Sequence, residues 1–273
     1  MPNRIIVITG ATDGLGRALA GVLADQPDTT LVLHGRDPSR LDALSASLAH
    51  ARARVHTLLA DFSELAQVHR LADEIGHVTD TVSVLVNNAG IGSGEPEGTG
   101  RRVSADGYEL RFAVNYLATF ALTQRLLPLL EAGAPARIVH VASLGQAPID
   151  FGDPDIEHGY SGLRAYGQSK LAMITSGFTL AEKLDPARIT VNSLHPATYM
   201  PTKMVLLNRG SSIDSLETGL EATSRLVGAP ELEGVTGEFF DRLRRSRADE
   251  SAYDPQVRQR LWDLSVQRTE HRP

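Results

Sequence analysis

Tyrosine and lysine stand four residues apart in Tyr166-Gly167-Gln168-Ser169-Lys170, inside a helical pattern, so both side chains share one helix face. Upstream, Ser143 closes the strand-like run Ile138-Val139-His140-Val141-Ala142. These three side chains suit proton transfer at an oxygen. Hydride addition to a carbonyl carbon leaves an alkoxide that needs a proton, and the reverse reaction must remove one. A phenol with a reference pKa near 10 is a poor base at neutral pH. A neighbouring ammonium favours the phenolate, and a downward shift of about 2–3 units would bring Tyr166 near the working pH. Ser143 would hydrogen-bond the substrate oxygen and hold it beside the phenol. Alone, a Tyr-x-x-x-Lys spacing usually marks a surface pair; its weight here comes from following a serine at a strand end.

A second constellation opens the chain. The run Arg4–Thr9 leads into Thr9-Gly10-Ala11-Thr12-Asp13-Gly14-Leu15-Gly16, and a helical pattern starts at once. Glycines there let the backbone approach a pyrophosphate, and a helix N-terminus offers free N–H groups and partial positive charge. Gly10, Thr12, Asp13, Gly14, Leu15 and Gly16 are therefore the expected phosphate-binding turn. The second strand ends Leu33-His34-Gly35-Arg36-Asp37, with glycine where an acid would bind a ribose 2′-hydroxyl and Arg36 next. A guanidinium binds phosphate bidentately, so NADP(H) is expected over NAD(H). Asp13 opposes this by adding negative charge near the phosphates. The third strand ends in Asp61 and Phe62; Asp61 would cap the next helix or accept from an adenine amino group. The fourth ends Asn87-Asn88-Ala89-Gly90, where small residues allow close approach to a ribose and Asn88 would tie neighbouring strands together.

The elements that must position these groups alternate. Strand candidates are Arg4–Thr9, Thr30–His34, Arg54–Leu59, Ser83–Asn87, Arg137–Ala142, Ile189–Leu194 and Val235–Phe240. Helical candidates lie near Leu15–Ala24, Ser39–Ala51, Ser63–Ile75, Ala105–Leu130, Arg164–Leu184 and Ile213–Val227. Alternation of this kind predicts a seven-stranded, doubly wound parallel sheet with helices on both faces and ligands beyond the strand C-termini. The whole chain, 1–273, reads as one domain. Its irregular parts are a glycine-rich loop at Gly92–Gly100, two expected substrate loops at 144–162 and 196–212, and a tail at 241–273 with a helical run over Asp254–Arg268. Tyr199, Met200 and Met204 in the second loop are candidate substrate contacts, since apolar adaptable side chains suit a lipophilic ligand. That loop shows no helical or strand period and is expected to order as a lid on ligand binding.

Composition excludes several classes. There are no cysteines, which removes disulfides, zinc–thiolate sites and cysteine nucleophiles. The nine histidines form no metal-binding spacing, so no metal is expected. A net charge of −6 gives no reason to expect nucleic acid, and the basic run Arg242, Arg244, Arg245, Arg247 is flanked by Asp241, Asp249 and Glu250. No apolar run reaches membrane-spanning length and the start does not read as a signal peptide, so a cytoplasmic protein without membrane contact is expected. A small-molecule substrate is the expected partner, with self-association as a dimer or tetramer left open.

Together these residues resemble the short-chain dehydrogenase/reductase family along almost the whole chain. The matching elements are TGxxxGxG at Thr9–Gly16, Asp61, NNAG at Asn87–Gly90, Asn115, Ser143 and YxxxK at Tyr166–Lys170. The resemblance implies an NAD(P)-dependent oxidoreductase acting on alcohol or carbonyl carbons. It implies that Lys170 also holds the nicotinamide ribose hydroxyls and that Asn115 orders a water relaying protons to Lys170. Pro196, Ala197 and Thr198 fall where the family contacts the carboxamide, although Pro-Ala replaces its usual Pro-Gly. Asp106-Gly107-Tyr108-Glu109, the long Ser143–Tyr166 interval, the sequence around Tyr166 and the tail Arg260–Ser265 are most similar to the retinol-dehydrogenase and protochlorophyllide-reductase-like branch. A non-catalytic nucleotide-binding regulator on the same fold is the alternative; an intact Asn115–Ser143–Tyr166–Lys170 set argues against it. An epimerase or dehydratase is disfavoured by the GxxxGxG spacing and the modest length.

Overall fold

The structure is a computed structural model that describes residues 3–270; the last three residues of the expected tail, 271–273, lie outside them. Apolar β-branched runs build a single sheet. Its strands are β1 (Arg4–Ile8), β2 (Thr29–Gly35), β3 (Arg54–Leu59), β4 (Val84–Asn87), β5 (Ala136–Val141), β6 (Ile189–His195), β7 (Glu238–Asp241) and β8 (Arg244–Ser246), in the order β3-β2-β1-β4-β5-β6-β7-β8. The first seven run parallel. The eighth pairs antiparallel with β7 and corrects the expected count of seven. Arg242, at φ 54, makes the two-residue turn between them. Arg244-Arg245-Ser246 lacks the apolar alternation that marks a strand, and main-chain pairing alone places it in the sheet.

Among the described residues there are eight α-helices: α1 (Gly14–Ala24), α2 (Pro38–Ser47), α3 (Leu65–Val78), α4 (Ala118–Ala132), α5 (Gly162–Lys183), α6 (Lys203–Arg209), α7 (Leu216–Gly228) and α8 (Pro255–Glu270). Leu19, Leu23, Ala222 and Leu226 of α1 and α7 pack with Ile6, Ile8 and Leu33 on one face. Val68, Leu71, Leu122 and Leu126 of α3 and α4 pack with Val7, Leu85 and Ile138 on the other. The tail helix α8 joins a third cluster through Leu261, and Trp262 meets Phe120 edge-on at 5.1 Å.

Two boundaries differ from the sequence pattern. The helix expected from Ala105 is a turn there, closed by a Val103–Glu109 bridge, and a π-helical segment, Phe112–Leu117, precedes α4. The loop at 196–212 is not structureless, because α6 forms within it. Thr202 Oγ1 accepts from Val205 N and Gly210, at φ 75, ends the helix. None of its residues is buried, so no apolar stripe announced it.

Two buried histidines stiffen the sheet. His34 Nδ1 accepts from Gly10 N at 3.3 Å, and its Nε2 donates to Ala60 O at 2.9 Å. His140 Nδ1 lies 3.2 Å from Asn87 Nδ2. Burial pulls each pKa down to about 4. Unfolded imidazoles titrate near 6.5, so between pH 6.5 and 4 the unfolded chain takes up protons that the folded one refuses. Their stabilisation is complete above about pH 6.5 and falls with pH, by roughly 3 kcal/mol each at pH 4. In an imidazole NMR titration these two rings should stay neutral at pH 5.5; titration of all nine histidines near 6.5 would refute the assignment.

Candidate active site

The order of strands reverses between β1 and β4, which opens a crevice at their C-terminal ends. The glycine turn lies there. Gly10, at φ 65, is so close to β4 that a Cβ would sit 2.8 Å from Ala89 Cα. A Cβ on Gly16 would run into Gly10 O and the Asn88 carboxamide. Asn88 Nδ2 donates to Thr9 O at 2.9 Å and Gly10 O at 3.0 Å, while Asn88 N and Ala89 N both donate to Thr9 Oγ1 at 3.0 Å. Asn88 thus ties β1 to β4 as expected. Leu15 is buried under the turn, and Thr12 packs its methyl against Gly35. Asp13 caps α1 by accepting from Gly14 N at 2.7 Å and pairs with Arg40 at 3.3 Å, so its charge is already countered. This glycine cradle at a helix N-terminus fits the diphosphate of a dinucleotide.

Farther along the edge, Phe62 stacks on His34 at 4.3 Å. Asp61 Oδ1 accepts from Ser63 N at 2.8 Å, which fixes the turn after β3 but does not cap α3. The cap comes from Asp106, whose Oδ2 accepts from Leu65 N at 2.9 Å. Arg36 follows β2, half exposed, with Nη2 2.8 Å from Glu97 Oε1.

The catalytic candidates converge beside Gly90. Asn115 Oδ1 and Lys170 Nζ would lie 3.1 and 3.4 Å from a Cβ placed on that glycine. Asn115 is fully buried in the π-helical segment, where one extra residue per turn swings its carboxamide onto the β4 loop. Its Oδ1 accepts from Ile91 N at 2.7 Å, and its Nδ2 donates to Ile91 O at 3.1 Å and Ser169 Oγ at 2.9 Å. Lys170 Nζ donates to Val141 O at 2.9 Å and lies 5.8 Å from the Tyr166 ring centroid. Ser143 hydrogen-bonds the Tyr166 phenol and accepts from Gly145 N at 3.0 Å. Burial raises the Tyr166 pKa, partly offset by the Ser143 hydrogen bond. The expected downward shift is therefore not present: desolvation outweighs the Ser143 hydrogen bond, and Lys170 itself is pulled down to about 8 by burial. At neutral pH the site holds a protonated phenol, which is the acid a carbonyl reduction needs.

Comparison with known proteins decides the family. The short chain dehydrogenase family matches residues 4–209. The chain is 31% identical to retinol dehydrogenase 13 of Mus musculus over 97% of its own length and 84% of that protein's. It is 32% identical to polyprenol dehydrogenase of Mus musculus, covering 96% and 82% respectively. Among solved structures, the RhlG/NADP active-site complex of Pseudomonas aeruginosa matches 88% of this chain and 95% of its own, at 25% identity and a TM-score of 0.68. This chain belongs to the short-chain dehydrogenase family.

Its curated relatives place it in the retinol-dehydrogenase-like branch and make it an oxidoreductase on an NAD(P)-binding fold. Around the dehydrogenase site, the two irregular loops and the helix α6 form the walls. Pro196 and Ala197 are buried at the β6 end, and Thr198 is held by Asp214 and Arg242 through N→Oδ2 at 2.7 Å and Nη2→Oγ1 at 3.1 Å. Tyr199, at φ 48 and half exposed, lies near enough to Tyr166 to influence its titration. Met204 reaches from α6 to Gly92. Met200 packs its sulfur against Gly219 and the α7 cluster. Among the described residues no helix is long and apolar enough to cross a membrane, and no cluster of three His, Cys, Asp or Glu could hold a metal.

Several site residues escaped the sequence reading. Arg111, fully buried, donates to Gly92 O at 2.7 Å, Gly98 O at 2.6 Å and Tyr160 Oη at 2.6 Å. Tyr160 in turn donates to Glu109 Oε1 at 2.9 Å. One guanidinium thus ties the loop after β4 and the loop before α5 to the segment that carries Asn115. The signal was present: Arg111 sits in Leu110-Arg111-Phe112-Ala113-Val114, an apolar run where a charge must be paired. Glu97 left no such signal.

Proposed function

We propose that this dehydrogenase prefers NADP(H) and interconverts a carbonyl and an alcohol on a lipophilic small molecule. The observation that carries the reading is the convergence of Ser143, Tyr166 and Lys170 beside Gly90, across the crevice from the glycine cradle. The nicotinamide cofactor supplies or accepts the hydride. Gly10, Gly14 and Gly16, with the α1 N-terminus, would hold its diphosphate, and Arg36 its 2′-phosphate. Asp61 and Phe62 would flank the adenine, while Asn88, Ala89, Gly90, Lys170 and Pro196–Thr198 would line the nicotinamide half. Ser143 Oγ orients the substrate oxygen. Tyr166 Oη gives it a proton in reduction and recovers one in oxidation, and the Lys170 ammonium steadies the phenolate that remains. Leu163, Leu206, Leu207 and Ile213 are exposed apolar side chains at or beside the loops that frame the site, which suits an apolar substrate. Curated relatives named for retinol and polyprenol, both long apolar alcohols, support the same substrate class.

The cofactor preference follows from Arg36 and from the absence of an acid at the end of β2. NADPH should bind at least about tenfold more tightly than NADH, and Arg36→Ala should remove most of the difference. Fluorescence titration of both nucleotides, with retinal-like aldehydes and apolar ketones as turnover substrates, measures both parts. Equal affinities in the wild type, or a preference that survives Arg36→Ala, would overturn the assignment.

A further inference from the structure

Part of the Arg36 guanidinium is already engaged. Its Nη2 is 2.8 Å from Glu97 Oε1, and the two residues come from segments 61 positions apart. The Glu97 side chain is 7% exposed against 54% for Arg36, so the acid is buried and the base reaches out from the surface to meet it. A buried carboxylate is costly unless paired, and Arg36 is the ion-pair partner it has among the described residues. The loop delivers Glu97 under constraint. Its own carbonyl accepts from Arg102 Nη1 at 3.3 Å, the next carbonyl accepts from Arg111, and Glu95 N donates to Asn208 Oδ1 of α6 at 2.9 Å. Arg36, Asp61, Ser63, Glu97, Arg102 and Lys203 line one polar cavity of about 360 Å³ at the ends of β2 and β3. In a doubly wound sheet that edge is where the adenosine half of a dinucleotide lies.

We infer that Glu97 is a specificity-determining residue: its carboxylate occupies Arg36 in place of a ribose 2′-phosphate and must release the guanidinium before that phosphate is bound. The inference rests on the NADP(H) reading above and deepens it. Exchange is favourable because a phosphate carries more charge than a carboxylate and offers more acceptor oxygens to the same fork. Arg102 and Lys203, lining the same cavity, remain close to the displaced acid. A 2′-hydroxyl drives no such exchange, so it leaves the Arg36–Glu97 pair closed. Glu97 therefore lowers the affinity for the phosphorylated cofactor while leaving the other nearly untouched.

Calorimetry on the full chain with adenosine 2′,5′-bisphosphate and with AMP separates the two levels, since neither probe needs turnover. Glu97→Gln should tighten the bisphosphate by about two- to fivefold, the range an ion pair of this exposure supports, and leave AMP unchanged within error. Arg36→Ala should weaken the bisphosphate, and adding Glu97→Gln to it should change nothing further. Glu97→Ala repeats the measurement without an amide to hold Arg36, and thermal unfolding of each variant confirms that it is folded. An unchanged bisphosphate affinity in both Glu97 variants, with Arg36→Ala still weakening it, overturns the role of Glu97 and leaves NADP(H) preference standing. Weaker AMP binding in Glu97→Gln would make Glu97 a ribose-hydroxyl acceptor and overturn both. No effect of Arg36→Ala on the bisphosphate overturns the cofactor reading itself.

Discussion

Replacing Tyr166 with phenylalanine is expected to lower kcat by at least about a hundredfold, because general acid catalysis by a positioned side chain contributes about 10²–10⁴-fold. The ring remains, so its packing against Gly145 and the loop before α5 is retained. Only the phenolic proton and the hydrogen bond with Ser143 are lost. Cofactor affinity, read by nicotinamide fluorescence, should stay within about twofold, since Lys170 keeps its place through Val141 O. The pH profile gives a second reading. Burial holds Lys170 near a pKa of about 8, and burial also raises Tyr166. As pH climbs past 8 the ammonium is lost first, so a reduction that needs a protonated phenol beside a cation should decline on the alkaline side. Near-native kcat in Tyr166→Phe would show that the proton comes from elsewhere.

Much of this site could be read from the chain because hydride chemistry imposes local patterns. The cradle needs glycines at fixed offsets between a strand and a helix, and Gly10, Gly14 and Gly16 stand at them. The Tyr166–Lys170 spacing is a property of one helix, so it survives any packing. What could not be read depends on segments distant in sequence. Arg36 is legible as a cation at the end of β2, yet its partner arrives on a loop 61 residues later. Asp61 stands at the start of α3, while the cap comes from Asp106, 41 residues beyond Leu65. The Tyr166 shift went the other way for a related reason: a pair spacing gives the sign of the Coulomb effect, whereas desolvation depends on everything packed around the ring. The helix α6 was hidden because none of its residues is fully buried and its apolar residues, Met204 to Leu207, stand in a consecutive run without helical spacing, so only Thr202 and Gly210 mark its ends.

The largest stability effect should come from a residue remote from the reacting atoms. Arg111 and Glu109 are both fully buried, with Arg111 Nη1 3.7 Å from Glu109 Oε1 and Tyr160 Oη bonded to both. Arg111→Met keeps the length of the side chain but leaves Glu109 without its cation, and removing one partner of a buried pair costs about 3–5 kcal/mol. For a chain of this size that corresponds to a fall in Tm of roughly 10 °C. Glu109→Gln in the same background removes the stranded charge while its amide still accepts from Phe112 N, so the double variant should regain about half of the loss. Recovery is expected in stability and not in binding. Gly92 O and Gly98 O would still lack their donor, so the loop that carries Glu97 and contacts α6 stays loosened and KM stays raised. A loss below about 1 kcal/mol in Arg111→Met would mean that Glu109 is accommodated without the guanidinium, by a proton or by solvent, and that the loops are held by packing alone.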